Sequence, residues 1–211
     1  MVKAIVRAAG QVVEAAGTTV GIRCGTEEPP HTTQRLSDSV EIRRYQQRIA
    51  AETTVSADEE SARNEGFRRL AGYIFGSNHG DTEIAMTAPV AQQRGTTIAM
   101  TAPVAQSSGG GGDWTIRFFM PSRWTMDTLP TPNDDRVRLT VTPAETVAVL
   151  RFSGDRGGPA VARRTAELRD ALRDTEFEPT GEPAAWFYDP PWTLPFRRRN
   201  EIAIPVRPRT G

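Results

Sequence analysis

Apolar and polar positions follow two periods along the chain, and these periods predict strands and helices. Between residues 40 and 55, apolar positions alternate as in strands, and Ser56-Ala-Asp-Glu59 has the capping-box form that opens a helix. The helix is expected to extend to about Phe75. Its small and apolar residues recur at spacings of three and four, which predicts an inward stripe made of Ala62, Gly66, Leu70, Tyr73 and Ile74.

The same order of elements returns in the second half of the chain. Strand-like segments at 137–141 and 146–152 precede a helix that Pro159 can open and that should end near Asp174. Further strand candidates follow each helix, at 83–106, 114–120, 184–188 and 200–206. This doubled order predicts an α+β domain of two pseudo-symmetric halves, whose strands form a distorted barrel with two helices packed outside.

The N-terminus has a separate helical pattern that ends near Gly17. It is expected to pack on its own domain rather than dock on a membrane, because Lys3 and Arg7 are its only basic residues. A turn-rich stretch follows, so we assign 1–34 as an N-terminal helix with a lead-in and 35–211 as the main domain. The apolar helix positions are Val2, Ile5, Val6, Ala9, Val13 and Ala16.

A nine-residue segment occurs twice, as Ile-Ala-Met-Thr-Ala-Pro-Val-Ala-Gln at 84–92 and again at 98–106. The proline in each copy cannot donate a hydrogen bond to a neighbouring strand, so Pro89 and Pro103 are expected at a sheet edge or bulge. The intervening residues 93–96 form a plausible turn. The repeat therefore predicts a hairpin of two equal arms.

Charge and composition exclude several classes of function. The chain has 26 basic and 26 acidic residues and a net charge of +0, which disfavours general nucleic-acid binding. Its single cysteine, Cys24, excludes an internal disulfide and a cysteine-cluster metal site. Without a signal-peptide pattern or an apolar run long enough to cross a bilayer, we expect a cytoplasmic protein and no membrane partner.

Signatures of catalysis are missing, since the sequence has no Walker loop, HExxH or GxSxG motif. Only two histidines, His31 and His79, could act as metal ligands. His79 is the better candidate because glycines flank it at a helix end. Glu201 opens an otherwise apolar strand, so it either pairs with an arginine of 197–199, which we favour, or points into a pocket.

The outer face of the first core helix mixes apolar surface with cations. Such a face suits a flat ligand that carries carboxylates, because rings cover its surface and arginine binds its charge. A solvated arginine face is the simpler interpretation of this pattern alone. The face comprises Asn64, Arg68, Ala71 and Phe75, with Arg63 and Phe67 at its borders.

Six short motifs occur along the chain. They are Ile-Ala-Met-Thr-Ala-Pro-Val at 84–90 and 98–104, Phe-Phe-Met-Pro-Ser at 118–122, Leu-Pro-x-Pro at 129–132, Phe-Ser-Gly at 152–154, Tyr-Asp-Pro-Pro-Trp at 188–192 and Arg-Arg-Asn-Glu at 198–201. In this order, over about residues 20 to 206, the series resembles the SOUL heme-binding proteins. The resemblance implies a distorted eight-stranded barrel in the same superfamily as bacterial effector-binding, GyrI-like domains.

The resemblance implies reversible binding of heme or a related tetrapyrrole by apolar contact beside the first core helix, with basic residues near the propionates. By position, that site falls on Asn64, Phe67, Arg68, Ala71 and Gly72. We add Arg63 and Phe75 from the face itself, with Arg63 and Arg68 as propionate partners, and His79 as the candidate iron ligand. The alternative is a small-molecule effector module or hydrolase-like enzyme whose pocket uses Glu201 and a tyrosine, Tyr188 or Tyr73.

Overall fold

The computed structural model describes residues 27–94, 112–189 and 192–210. The predicted N-terminal helix, Cys24 and the second copy of the repeat lie outside these residues. The elements of the first half are β1 (His31–Arg35), β2 (Val40–Tyr45), β3 (Arg48–Ala57), α1 (Glu59–Ile74), β4 (Val90–Arg94) and β5 (Gly112–Phe119).

The second half of the chain provides five strands, one α-helix and a short 3₁₀ helix. Most bounds differ from the sequence predictions by only one or two residues, although the second helix ends before Asp174. The elements are β6 (Arg138–Thr142), β7 (Glu145–Phe152), α2 (Gly158–Ala171), β8 (Phe177–Pro179), β9 (Ala184–Phe187), the 3₁₀ helix η1 (Pro195–Arg197) and β10 (Asn200–Pro208).

The strands form one antiparallel sheet, which confirms the α+β class. Its order is β1-β2-β7-β10-β9-β4-β5-β3-β6, with β8 paired to β10 outside this path. The path has two ends among the described residues, and the sheet has ten strands. The closed eight-stranded barrel expected from the sequence is therefore not confirmed. Strand β1 begins ahead of residue 35, so part of the predicted lead-in belongs to the sheet.

Counted outward from the centre of the sheet, eight of the strands nevertheless follow the same order in both halves of the chain. The central neighbours are β4 and β9, followed outward by β5 and β10, then β3 and β7, then β6 and β2. The two halves thus exchange one strand each, since β2 pairs with β7 and β6 pairs with β3, and β1 adds an outer strand beside β2.

Strand β4, which ends the first copy of the repeat, lies inside the sheet and not at an edge. It pairs with β5 on one side and β9 on the other, so the predicted hairpin between the two copies is wrong for residues 90–93. Pro89 precedes the strand and follows a cis peptide bond from Ala88. Because the ladder starts at Val90, the missing N–H of Pro89 removes no hydrogen bond from it.

Helix α1 packs on β3 and β5 through the predicted stripe, and all five residues of that stripe are buried. The approach is closest at Gly66, where an added Cβ would lie 2.7 Å from the Cγ1 atom of Ile116. A separate cluster under α2 includes Leu168, Phe177 and Ile202. A third cluster, which includes Tyr45, Phe119 and Trp186, fills another part of the sheet.

The start of α1 differs from the predicted capping box. Asp58 is the N-cap, and its carboxylate accepts hydrogen bonds from the backbone N–H groups of Glu60 and Ser61. Ser56 is still part of β3, where its hydroxyl donates to Asp113. The extended strand therefore displaces the helix start by two residues relative to the Ser56 cap, and Asp58 supplies the same capping chemistry.

Candidate functional site

The side of α1 opposite the buried stripe presents the predicted outer face to solvent. Asn64 and Arg68 are exposed, and the rings of Phe67 and Phe75 are 40% and 65% exposed. Phe67 is fixed by an edge-to-face contact with the buried ring of Phe118, with 5.3 Å between centroids. Phe67 on α1 and Phe75 at its C-cap are thus both among the exposed large apolar side chains of the described residues.

The two exposed rings flank the small residues Ala71 and Gly72, both of which are half-buried. Phe67 and Phe75 are eight residues apart, which corresponds to about 12 Å along a helix. A Cβ added at Gly72 would meet only Ser77, at 3.7 Å from its hydroxyl oxygen. Ala71 and Gly72 thus leave this part of the helix surface without a long side chain.

The two arginines predicted on this face have different environments. Arg68 is 75% exposed and pairs with Glu65 on the same helix. Arg63 is only 8% exposed, and its guanidinium contacts Gln92 and the backbone oxygen of Arg156. Arg63 also lies over the Phe187 ring at 5.0 Å. Its predicted place at the border of the outer face is thus not observed, because the side chain turns toward β4 and β9.

His79 lies beyond the C-terminus of α1, in a loop whose glycines, Gly76 and Gly80, have positive φ angles of 111° and 95°. The His79 side chain is exposed, and its Nδ1 atom lies 3.3 Å from the backbone oxygen of Thr131. When Nδ1 donates that hydrogen bond, Nε2 carries the lone pair that binds metals. Residues 27–94, 112–189 and 192–210 contain no group of three or more potential metal ligands.

Glu201 is fully buried at the start of β10 and is surrounded by cations. Arg43 binds both of its carboxylate oxygens, at 2.7 and 2.9 Å, and Arg199 donates to Oε1 at 2.7 Å. Tyr188 donates its hydroxyl hydrogen to Oε2, also at 2.7 Å. The favoured pairing of Glu201 with an arginine of 197–199 is confirmed, and Arg43 is an additional partner.

The electrostatics of this cluster favour a charged carboxylate. Burial raises the pKa of Glu201, but the hydrogen bonds and charges of Arg43 and Arg199 outweigh it and hold that pKa below its ordinary value. Burial and the nearby Glu201 carboxylate raise the pKa of Tyr188, which stays a neutral hydroxyl. Glu201 and Tyr188 are thus brought together, but as a closed ion cluster with both carboxylate oxygens engaged.

The alternative prediction was a ligand pocket that uses Glu201 and a tyrosine. Both oxygens of the Glu201 carboxylate are instead bound by groups of the protein itself. The other candidate tyrosine, Tyr73, lies on α1 and donates its hydroxyl hydrogen to the backbone oxygen of Pro130 at 2.9 Å. Arg43, the residue that closes the cluster, was missed from the sequence. A signal existed, because strand alternation in β2 places Arg43 on the same face as the buried Tyr45.

Comparisons with known proteins identify the family and support the fold. The family model described as SOUL heme-binding protein matches residues 26–205. Heme-binding protein 2 of Mus musculus is 31% identical over 168 residues, which are 78% of this chain and 76% of that protein. None of the helices among the described residues is long and apolar enough to cross a membrane.

Two solved structures share the fold at low sequence identity. The crystal structure of the EcmrR C-terminal domain is 13% identical, has a TM-score of 0.54, and covers 84% of this chain and 99% of its own. A hydrolase from Listeria innocua is 12% identical, with a TM-score of 0.53 and coverages of 80% and 92%. These likenesses concern the fold alone. The extent of the family match and the identity to the mouse protein together show that this chain belongs to the SOUL heme-binding protein family.

Proposed function

We propose that this protein binds heme or a related tetrapyrrole reversibly on the outer face of α1 and acts as a cytoplasmic carrier or buffer. The family and the name of the mouse relative support the choice of ligand. The proposed site, called the α1 face below, consists of Asn64, Phe67, Arg68, Ala71, Gly72 and Phe75.

The observation that carries this proposal is the pair of exposed rings on either side of two small residues. A flat macrocycle resting on Ala71 and Gly72 removes apolar surface of Phe67 and Phe75 from water. Complete burial of a phenylalanine side chain contributes about 1.5–3 kcal/mol. The edge-to-face contact of Phe67 with Phe118 holds one ring in place before binding, which lowers the entropy lost on association.

Arg68 is the residue that we propose to bind a propionate group. Its present partner is Glu65, in a pair whose arginine is 75% exposed. Exposed pairs of this kind contribute about 0–1 kcal/mol, so a propionate can replace Glu65 at small cost. Arg63 is left out of the α1 face because its buried guanidinium would have to leave Phe187 and Gln92 to reach a ligand.

Heme would supply an iron atom that can bind a histidine nitrogen, and His79 is the side chain that we propose to hold it. Its exposed imidazole and the contact of Nδ1 with Thr131 are compatible with a neutral ligand that binds through Nε2. Apolar contact at the α1 face provides most of the affinity in this proposal, and His79 determines the coordination of the iron.

Titration of the protein with hemin tests the proposal. The Soret band should change and saturate, and Phe67→Asp should raise the dissociation constant about tenfold or more, because a charge replaces a covering ring. Phe75→Asp, at a more exposed position, guards against a folding defect. Phe196→Asp is the matched control, since Phe196 is 68% exposed outside the α1 face. Equal titrations for all four proteins would refute this site.

The carrier role requires that the ligand leave as well as bind. Excess apomyoglobin should therefore remove hemin from the loaded protein completely within the time of an ordinary absorbance measurement. Retention of the ligand under these conditions would contradict a carrier or buffer, while leaving the binding site itself supported by the titration.

A further inference from the structure

A cleft lies away from the α1 face, where the turn between β2 and β3 meets the segment after β5. Its volume of ≈ 400 Å³ falls within the range of pockets that hold small organic molecules. Three separate parts of the chain form its walls, and α1 contributes no residue. The lining comprises Glu27, Pro29 and Pro30, then Gln46 to Ile49, then Met120 to Ser122 and Trp124 to Met126.

The walls of this cleft are largely apolar and include flat groups. Ile49, Met120 and Trp124 belong to or pack against the hydrophobic cluster under α1, so their positions are fixed by the core. Amide side chains of Gln46 and Gln47 are exposed at the turn. An aromatic or cyclic body thus finds apolar contact along the walls and polar groups at the turn.

A buried cation defines the polar end of the cleft. Arg48 is 8% exposed, and its guanidinium stacks over the rings of Tyr45 and Phe119, at 4.0 and 4.3 Å from their centroids. Among the described residues its one ionic partner is Glu145, which binds Nη2. Burial lowers the pKa of Arg48, and Glu145 only partly offsets that effect. The stacked geometry therefore holds a cation with a single carboxylate partner.

Two hydrogen-bond donors of the lining residues have no partner within the described part of the chain. They are Nε of Arg48 and the indole Nε1 of Trp124, and both are buried. Glu27, the carboxylate of the lining, accepts the backbone N–H of Ser122, another lining residue, at 2.8 Å. The lining thus carries one cation and one carboxylate, and its two unpartnered donors, one of them on the Arg48 guanidinium, lie beside flat apolar walls and favour an acceptor such as a carboxylate.

We propose that this cleft binds a small, flat organic carboxylate, with the carboxylate toward Arg48 and the ring against Trp124 and Met120. The site is independent of heme binding at the α1 face, since the two share no residue. Arg48 supplies charge and hydrogen bonds, and its stacking on Tyr45 and Phe119 orients the guanidinium before the ligand arrives.

Calorimetric titration of the full chain with 2-naphthoate and with 2-naphthamide tests the proposal, because the two probes share a ring and differ in charge. We expect saturable binding of 2-naphthoate, at least about tenfold tighter than that of the amide. Arg48→Gln should abolish this difference. Gln47→Glu, an exposed substitution that adds a negative charge to the lining, should weaken 2-naphthoate about fivefold.

Gln34→Glu on β1 is the matched control, because it makes the same change outside the cleft and should leave both titrations unchanged. If circular dichroism shows that Arg48→Gln does not fold, Gln47→Glu decides the question. The absence of saturable 2-naphthoate binding at millimolar concentration would overturn the proposal, as would equal binding of acid and amide. Phe67→Asp should not affect 2-naphthoate, so failure of this site and failure of the α1 face are distinguishable.

Discussion

Arg43 and Glu201 form a two-pronged ion pair between strands that are 158 positions apart in the sequence, with N–O distances of 2.7 and 2.9 Å. The pair joins the first half of the chain to the second, since β2 and β10 lie on either side of β7. Glu41 extends it on one side, and Arg199 with its second partner Glu28 extends it on the other, to a chain of five alternating charges. Such a buried network is strongly destabilised when one member is removed, because the remaining charges lose their partners.

Glu201→Gln is therefore expected to lower the free energy of unfolding at pH 7 by about 3–5 kcal/mol. Because the pKa of Glu201 is lower in the folded state than its ordinary 4.5, its contribution is present above pH 4.5 and is lost as the pH falls through the folded value. The difference in unfolding free energy between Glu201→Gln and the wild type should thus become smaller in acid. Urea denaturation at pH 7 and pH 3.5 measures both effects.

The control for this prediction is Glu178→Gln, which breaks an ion pair with Arg207, an arginine that is 69% exposed. Its effect at pH 7 should stay within about 1 kcal/mol. Equal losses of unfolding free energy in Glu201→Gln and Glu178→Gln would contradict the idea that burial makes the Glu201 cluster important for stability.

Gly66 is buried and Gly72 is half-buried on α1, and the two positions should respond oppositely to alanine. At Gly66 the new Cβ would lie 2.7 and 2.8 Å from side-chain atoms of Ile116, so we expect a loss of about 1–3 kcal/mol in unfolding free energy. At Gly72 the new Cβ would be in ordinary contact with Ser77, at 3.7 Å, and alanine favours the helix, so a gain of about 0.5–1 kcal/mol is expected. Thermal denaturation of the two variants side by side checks the pair.

Asp58 rather than Ser56 should determine the stability of the α1 N-terminus. Asp58→Ala removes the acceptor for the N–H groups of Glu60 and Ser61, so Tm should fall. Asp58→Asn keeps a capping oxygen and should restore most of the loss. Ser56→Ala tests the capping box suggested by the sequence, and a larger fall in Tm for this variant than for Asp58→Ala would reverse the assignment.

The periodicity of the sequence predicted those structural features that depend on residues close together in the chain. The alternation in β2 and β3, the buried stripe of α1 and the exposure of Phe67 and Phe75 all follow from local patterns of side chains. These patterns predicted both helices and most of the strands of the described residues, but not β1, β8 or the 3₁₀ helix. They also placed Arg68 correctly in solvent.

Features that depend on distant contacts were not visible in the sequence. The Arg63 side chain turns inward, where its guanidinium lies over the Phe187 ring on β9 and donates a hydrogen bond to Gln92 on β4. Neither contact is implied by helical spacing. The place of β4 between β5 and β9 likewise depends on pairing between the two halves of the chain, so the sequence did not show that Pro89 precedes an interior strand. The cleft lined by Arg48 is formed by three segments that are far apart in the sequence, so no local pattern predicts it.

His79→Ala separates ligand binding from iron coordination at the proposed heme site. If His79 is the axial ligand, this variant should shift the Soret maximum of the hemin complex while the dissociation constant changes by less than about tenfold, or 1.4 kcal/mol. The expected reason is that the apolar contacts of Phe67 and Phe75 remain. His31→Ala is the matched control, since the His31 ring lies against Tyr45, at 4.8 Å between centroids, away from α1. An unchanged spectrum for His79→Ala would exclude His79 as the ligand, and a shift confined to His31→Ala would transfer the role to that residue.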